Sequence, residues 1–224
     1  MKKSLGLTVL VFILLFTLSG CSDLNQSGDS VIKDAARNFN QTVNNNIDDL
    51  TYHNELSHFG LQLKSGDKLE WTEDTSVSEA DFSITINAEE FILAGLDLAK
   101  VESPFYSYIK DTTTNMESLI YSYNINDEKA MYNNSDEAFE QLIRLIPDQV
   151  AAIKNDGYIL TLDNGFKIHW NSDERVNKDL AFIIVADDLV KAGLDINKLD
   201  EWKVLKNNDA NDSQVKLLKV FYLK

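Results

Sequence analysis

Cysteine, proline and glycine are scarce in this chain of 224 residues, and the shortages exclude several classes of protein. The one cysteine, Cys21, has no partner for an intrachain disulfide and no second thiolate for a cysteine-based zinc site. Two prolines and nine glycines are too few for a disordered stalk, because such segments are rich in these residues. The frequent Phe, Tyr, Ile and Leu residues instead predict a globular body with an ordinary hydrophobic core.

Basic residues are also few, and the formal net charge is −15. Clustered Lys and Arg bind phosphate backbones, so no nucleic-acid partner is expected, and an anionic membrane would repel the body as a whole. The charge is uneven, because residues 22–124 carry −12 and residues 125–224 carry −5. This asymmetry favours a cationic partner facing the first half. The alternative is a surface that is acidic for solubility alone.

Sequence motifs of catalysis are missing as well. The chain has no Gly-x-Ser-x-Gly elbow, P-loop, dinucleotide fingerprint or His-Glu-x-x-His. The acidic pairs Glu89-Glu90 and Asp187-Asp188 cannot flank one bond on a helix, since neighbouring helical side chains point apart. They are typical of helix starts, where the macrodipole favours acids. We therefore expect no enzyme activity and no cofactor.

Two segments contain residue types that bind metals. His53 and His58 form a His-x4-His pair near a predicted helix end, with His169 elsewhere, but no carboxylate completes the set and a solvated loop is favoured. Residues 207–213 offer oxygens suited to calcium, yet lack the glycine and the terminal glutamate of an EF-hand loop. A polar connection is favoured there, and no metal site is predicted.

The N-terminus carries the most specific signal in the chain. A basic start precedes an apolar run over residues 5–18, which ends in Leu18-Ser19-Gly20-Cys21 and resembles a bacterial lipobox. The run is shorter than the ~20 residues of a membrane-spanning helix, and a plain secretory signal needs no cysteine. The resemblance implies cleavage before Cys21, a diacylglycerol with palmitate in thioether linkage to the sulfur of Cys21, and anchoring in the cell envelope. The lipid would lie on the outer face of the cytoplasmic membrane or in the outer membrane.

An internal repeat dominates the remaining chain. Residues 82–97 recur as residues 180–195, with Ala-Gly-Leu-Asp in both, and residues 61–71 recur as residues 160–170. The match includes the tryptophans Trp71 and Trp170, which are predicted to be core residues. A duplication is predicted, with a signal peptide at 1–20, a lipidated tether at 21–30, a first repeat at 31–126 and a second repeat at 132–224.

Each predicted repeat contains a helix, a hairpin, a strand, a second helix and a last strand. The first helix has an apolar stripe of Ile32, Ala35, Ala36, Phe39, Val43 and Ile47. Its counterpart has a cap at Ser135, a stripe of Phe139, Leu142, Ile143 and Ile146, a break or new start at Pro147, and an end near Gly157. Ser65-Gly66 and Asn164-Gly165 predict the hairpin turns. The remaining predictions are strands at 82–86 and 182–185, helices at 89–96 and 187–194, and strands at 119–125 and 217–223.

The predicted fold class is α+β, with two tandem repeats whose antiparallel sheets are backed by helices. One sheet face is predicted to be buried and the other, with Lys167 and His169, to be wet. The layout resembles that of tandem-repeat β-lactamase inhibitory proteins, which implies a concave binding face. No motif matches that family residue by residue, so the resemblance carries no function.

These features predict a membrane-anchored lipoprotein outside the cytoplasm that binds a protein or peptide without catalysis. Two alternatives remain: an inhibitor or protective lipoprotein against an envelope enzyme, and a carrier of a small apolar ligand. The candidate partner-binding residues are Glu70, Glu73, Asp74 and Glu79, which lie on and after the second hairpin strand of the more acidic half.

Overall fold

The structure is a computed structural model that describes residues 28–45, 50–55, 58–63, 65–72, 81–113, 115–125, 138–154, 156–162, 165–172, 179–205 and 213–221. The helices in these ranges are α1 (Gly28–Asn45), α2 (Glu89–Leu93), α3 (Ala138–Arg144) and α4 (Asp187–Lys191). The first-half strands are β1 (Leu50–Glu55), β2 (His58–Leu63), β3 (Lys68–Thr72), β4 (Phe82–Asn87), β5 (Tyr106–Lys110) and β6 (Glu117–Tyr123). The second-half strands are β7 (Val150–Ile153), β8 (Gly157–Thr161), β9 (Lys167–Trp170), β10 (Leu180–Val185), β11 (Lys203–Leu205) and β12 (Lys216–Phe221).

The strands form two antiparallel six-stranded sheets, so the predicted α+β class is confirmed. The first sheet has the order β1-β2-β3-β4-β6-β5, and the second has the order β7-β8-β9-β10-β12-β11. The second order is the first with six added to every strand number. Trp71 on β3 lies opposite Phe82 on β4, and Trp170 on β9 lies opposite Leu180 on β10.

The hairpin turns β2–β3 and β8–β9 lie where the sequence predicts them. Gly66 and Gly165 have φ angles of 86° and 87°, in the left-handed region that glycine adopts without strain. Alternation then places Leu69 and Trp71 of β3 on the buried face of the first sheet.

Several local predictions are wrong. β1, β5, β7 and β11 were not predicted, and α2 and α4 each end three residues early because the Ala-Gly pair that follows forms a turn. Gly157 begins β8 instead of ending a helix. His53 and His58 lie on β1 and β2, which pair as a hairpin, and not in a loop at a helix end.

Helix α1 forms because its apolar residues recur every three or four positions and bury one stripe. The predicted stripe is buried at Ile32, Ala35, Ala36 and Phe39, and Val43 is partly buried against the core. Ile47 lies outside the described residues. Pro147 opens a short 3-10 turn at its first position, which is the second of the two outcomes predicted for it. Ser135 also lies outside the described residues.

Helices α1 and α3 pack across the boundary between the two halves of the molecule. α1 packs against α3 and against β7, β8 and β9 of the second sheet, while α3 packs against β3 of the first sheet. The indole Nε1 of Trp170 donates to the carbonyl oxygen of Ala35 at 3.0 Å. Asn38 exchanges two hydrogen bonds with Ser172, one through its Nδ2 at 2.7 Å and one through its Oδ1 at 3.2 Å. Each sheet is therefore covered on its inner face by the helix of the other half.

An aromatic cluster lies where the helices meet the sheets. The rings of Phe39 on α1 and Phe139 on α3 stack at 3.8 Å between centroids. Trp71 and Trp170 approach Phe39 edge-on at 5.4 and 5.8 Å. Both tryptophans are buried, which confirms their prediction as core residues. The buried apolar side chains of both halves join one continuous core.

The Ala-Gly turns after α2 and α4 contact each other reciprocally. The backbone N–H of Asp97 donates to the carbonyl of Ala192, and that of Asp195 donates to the carbonyl of Ala94, both at 3.0 Å. Gly95 and Gly193 lie between these bonds, and a Cβ on either would come within 3.1 or 2.9 Å of the other's carbonyl oxygen.

No helix in the part of the chain that is described is long and apolar enough to cross a membrane.

Candidate functional site

The predicted site residues fall partly within the described chain. Glu70 lies on β3, partly buried, with its carboxylate 3.4 Å from the hydroxyl of Ser83. Its Cγ lies over Gly60 of the neighbouring strand, at a position where a Cβ would approach it to 3.1 Å. Glu73, Asp74, Glu79 and Cys21 lie outside the described residues.

Glu70 belongs to the outer face of the first sheet, the side opposite the shared core. Two rows of paired residues cross this face: Gly60, Glu70, Ser83 and Ser122 form one, and Gln62, Lys68, Thr85 and Ile120 form the other. Hydroxyl, amide and charged groups predominate. Such a face is typical of an antiparallel sheet with one side in water.

The outer face of the second sheet has a different chemistry at the same places in the strand order. Its corresponding rows are Ile159, His169, Ala181 and Val220, and Thr161, Lys167, Ile183 and Leu218. Ala181 and Ile183 are buried, while Ile159, Leu218 and Val220 are partly buried. Among the described outward positions of this sheet there is no Asp or Glu. Sequence reasoning missed this face, although the unbroken apolar run of β10 is the pattern of a strand covered on both sides.

The prediction that His169 is exposed to solvent is wrong. It is buried, and its Nε2 hydrogen-bonds the backbone carbonyl of Asp156, whose carboxylate lies 3.7 Å from the same nitrogen. Lys167, in contrast, is partly exposed. His169 therefore ties β9 to the turn between β7 and β8.

A buried ion pair links the two halves. The ammonium of Lys219 on β12 lies 2.8 Å from a carboxylate oxygen of Asp67, and 2.7 Å from Glu201. Asp67 is fully buried and also accepts a hydrogen bond from the backbone N–H of Asn87 at 3.1 Å. Burial lowers the pKa of Lys219, but the two carboxylates outweigh it and the pKa is raised. The lysine therefore stays charged at neutral pH and serves structure.

The acids that begin α2 and α4 also have structural roles. Glu90 accepts the backbone N–H groups of Asp200 and Glu201 across the two halves, the second at 2.8 Å. A hydrogen bond from Lys191 lowers the pKa of Asp188, against the opposing effect of burial, and a weaker hydrogen bond from Ser103 lowers it further. These carboxylates hold chain segments in place and do not converge on one reacting position.

A shallow polar groove runs along the exposed face of α1. It is lined by Lys33, Arg37, Asn40, Gln41, Asn44 and Glu140. Both cations of this lining are paired on their own helix, Lys33 with Asp29 at 3.4 Å and Arg37 with Asp34 at 2.6 Å. The groove is open to solvent and presents little unbalanced charge.

Among the residues that the structure describes, no three His, Cys, Asp or Glu side chains lie close enough together to hold a metal ion.

Comparison with known proteins gives no assignment. No protein-family model matches the chain, and no curated protein or solved structure matches it significantly.

Proposed function

We propose that this chain is a lipid-anchored lipoprotein of the bacterial cell envelope whose body binds a protein or peptide partner without catalysis. The sequence Leu18-Ser19-Gly20-Cys21 behind its apolar run supports the anchor. The observation that carries the binding role is the polar outer face of the first sheet, which has Glu70 at its centre.

The packing of the described residues favours surface binding over the carrier alternative. Stacked rings fill the core, with Phe39 on Phe139 between the helices and Tyr121 on Phe166 between the two halves, each pair at 3.8 Å. A carrier needs an apolar cavity at this place. An inhibitor of an envelope enzyme would use the same outer surface, with that enzyme as its partner.

We further propose that residues 31–126 and 132–224 are duplicated copies of one folding unit. The shared strand order and the equivalent positions of Trp71 and Trp170 support this proposal. So do the reciprocal contacts of the Ala-Gly turns. The copies share one core, and they differ mainly in the chemistry of their outer sheet faces.

The anchor is tested by radiolabelled palmitate in cells expressing wild type and Cys21→Ala. We expect label in wild type only, and an unprocessed mutant that still carries its leader. Equal labelling of the two chains would contradict the lipobox.

The binding surface is tested by association kinetics with the partner captured from intact envelopes. Neutralising Glu70, Glu73, Asp74 and Glu79 should slow association and flatten its salt dependence, because charge complementarity acts mainly on encounter rates. A matched control neutralises four exposed acids elsewhere: Glu89, Glu102, Asp148 and Asp200. Equal on-rates for the two quadruple variants at low salt would show that only total charge matters and would exclude this surface.

A further inference from the structure

We propose that the edge strand β5 of the first sheet binds an extended basic segment of the partner, which adds to the sheet as a further strand. The inference rests on the proposed function and specifies how the partner is held. The bound segment would lie on the same sheet as the outer face around Glu70, and both would contact one partner.

The first support is the backbone of β5. It pairs with β6, and among the residues that the structure describes no strand lies on its other side. Beyond its end, the N–H of Asp111 donates to the carbonyl of Met116 at 2.9 Å, and bonded pairs alternate along an antiparallel ladder. Ser107 and Ile109 therefore bond to β6. The alternate residues point their N–H and C=O groups away from β6, and they are Tyr106, Tyr108 and Lys110.

This outer edge matches the backbone of an extended peptide, which repeats donors and acceptors at the same spacing. Natural edge strands are often protected by charged side chains. The one charged residue of β5 is Lys110, and its ammonium lies 2.9 Å from the carboxylate of Glu117 on β6. The lysine is thus held toward the neighbouring strand and leaves the outer edge of β5 open.

The second support is the concentration of exposed apolar side chains around this edge. Seven large apolar side chains of the described residues are well exposed, and four belong to the hairpin of β5 and β6. These four are Phe105, Tyr108, Ile109 and Met116, with 44, 41, 50 and 38% of their surface exposed. Alternation places Tyr108 and Ile109 on opposite faces of the sheet, so an added strand meets an apolar side chain on each face.

The corresponding edge of the second sheet is shorter. Val204 of β11 lies opposite Leu217, at the place where Tyr108 of β5 lies opposite Leu119. β11 has three residues where β5 has five, so it offers fewer backbone groups to an added strand. We therefore assign the binding edge to the first sheet alone.

The third support is charge, which selects a basic segment over a second copy of the chain. Two copies repel each other, because each carries a net charge of −15. Residues 102–117 contain the three acids Glu102, Asp111 and Glu117 against the single lysine Lys110. A basic segment is attracted by this local field and by the larger negative charge of the first half.

The test measures binding of a synthetic probe to the full chain purified in detergent. The probe is the fluorescently labelled peptide Thr-Lys-Val-Lys-Val-Lys-Thr. One control peptide is N-methylated at every backbone nitrogen, so it keeps the side chains and the charge but cannot donate; the other has Glu in place of Lys. We expect each control to bind about tenfold more weakly, the second at low salt. Equal binding of the three peptides, or no binding of the basic peptide at about 1 mM, would overturn the proposal.

Amide hydrogen exchange resolved at single residues shows which groups the peptide reaches. We expect the basic peptide to slow exchange about tenfold at Tyr108 and Lys110, with little change at Ser107 and Ile109, whose N–H groups already bond to β6. Unchanged exchange at Tyr108 and Lys110 would contradict strand addition. Slower exchange there at rising protein concentration without peptide would identify a second copy as the occupant and would overturn the basic segment.

Proline removes an outward N–H group without removing a bond between β5 and β6. Tyr108→Pro should weaken peptide binding about tenfold, whereas Tyr108→Val, which loses the ring but keeps the N–H, should weaken it about twofold. Val204→Pro, at the matching place on β11, is the control in the second half and should leave binding unchanged. Equal affinities of Tyr108→Pro and Tyr108→Val would contradict the proposal. The exchange measurement on wild type decides the question if Tyr108→Pro does not fold.

Failure of this edge is distinguishable from failure of the proposed function. A captured partner whose association is slowed by the substitutions around Glu70 but not by Tyr108→Pro would keep the proposed function and exclude the β5 edge. Protection of Tyr108 by the peptide, with equal on-rates for the two quadruple variants, would keep the edge and exclude the outer face.

Discussion

Tyr121 and Lys219 occupy equivalent positions in the first and second sheets. Each contacts a residue of the other half, but through a different kind of interaction. Tyr121 on β6 lies opposite Ile84 and stacks on Phe166 of the second half. Lys219 on β12 lies opposite Phe182 and binds Asp67 of the first half. One contact between the halves is an aromatic stack, and its counterpart is a buried ion pair.

Removal of one partner of this ion pair leaves a buried charge alone. Lys219→Met should lower the free energy of unfolding by about 3–5 kcal/mol, measured by guanidinium denaturation. Lys198→Met removes an exposed partner of Asp195 and should cost under about 1 kcal/mol. Replacing the pair by the aromatic contact of the other half, with Asp67→Phe and Lys219→Tyr together, should recover most of the loss. A double variant as unstable as Lys219→Met would contradict this equivalence.

The same pair predicts a dependence of stability on alkaline pH. The pKa of Lys219 is raised in the folded chain above its ordinary value of 10.5. A cation whose pKa rises on folding stabilises the fold fully at pH values below its pKa in the unfolded chain. This stabilisation is lost as the pH rises through its pKa in the folded chain. The difference in unfolding free energy between wild type and Lys219→Met should therefore be constant near neutral pH and shrink above about pH 10.5. A difference that stays constant at higher pH would contradict the assignment.

The glycines between the two Ala-Gly turns have no room for a side chain. Gly193 has a φ of 106°, and a Cβ on it would lie 2.9 Å from the carbonyl oxygen of Gly95. Gly193→Ala should cost about 1–3 kcal/mol in thermal or chemical unfolding, through backbone strain and loss of the reciprocal hydrogen bonds. Gly28→Ala, with open space around it and no positive φ, is the control and should leave stability unchanged. Equal stabilities of the two variants would show that the turns do not depend on this approach.

At the scale of elements, the sequence predicts those with a periodic apolar pattern and misses those without one. β4 and β10 bury alternate or successive residues, and their runs are evident in the sequence. β5 buries only Tyr106 and exposes the rest, so an edge strand of this kind has no alternation to detect. β7 is short and buries only Val150 fully. Such strands form because a neighbouring strand offers its backbone groups, which is a tertiary effect.

The crossing of α1 onto the second sheet could not be predicted either. Its stripe shows that one face is buried, but not which sheet covers it. The hydrogen bond from Trp170 to Ala35 and the ring of Phe39 between both tryptophans depend on the paired halves. The buried outer face of the second sheet, with Ala181 and Ile183, is hard to predict for a different reason: an unbroken apolar run predicts a strand but does not show what covers each of its faces.

The position of α1 predicts which strands are destabilised by a substitution in the core. Phe39→Ala should cost about 3–5 kcal/mol, because a buried ring is lost together with its stacking partner Phe139. Amide hydrogen exchange should then speed up in β8 and β9 of the second half, where α1 packs. Asn40→Ala, on the exposed face of the same helix, is the control and should change neither. Faster exchange confined to first-half amides would contradict the crossing.

At the scale of the whole molecule, the two proposed repeats form one cooperative body, because they exchange helices and share a core. Residues 22–126 and 127–224 expressed separately should each fail to unfold cooperatively, since each lacks the helix that covers its sheet. The two fragments mixed at equal concentration should recover the near-ultraviolet circular dichroism of the intact chain, because the missing helix is then supplied in trans. The intact chain should unfold in a single transition by both circular dichroism and tryptophan fluorescence. A fragment that melts cooperatively alone, or separate transitions for the two probes in the intact chain, would show that the repeats are independent domains.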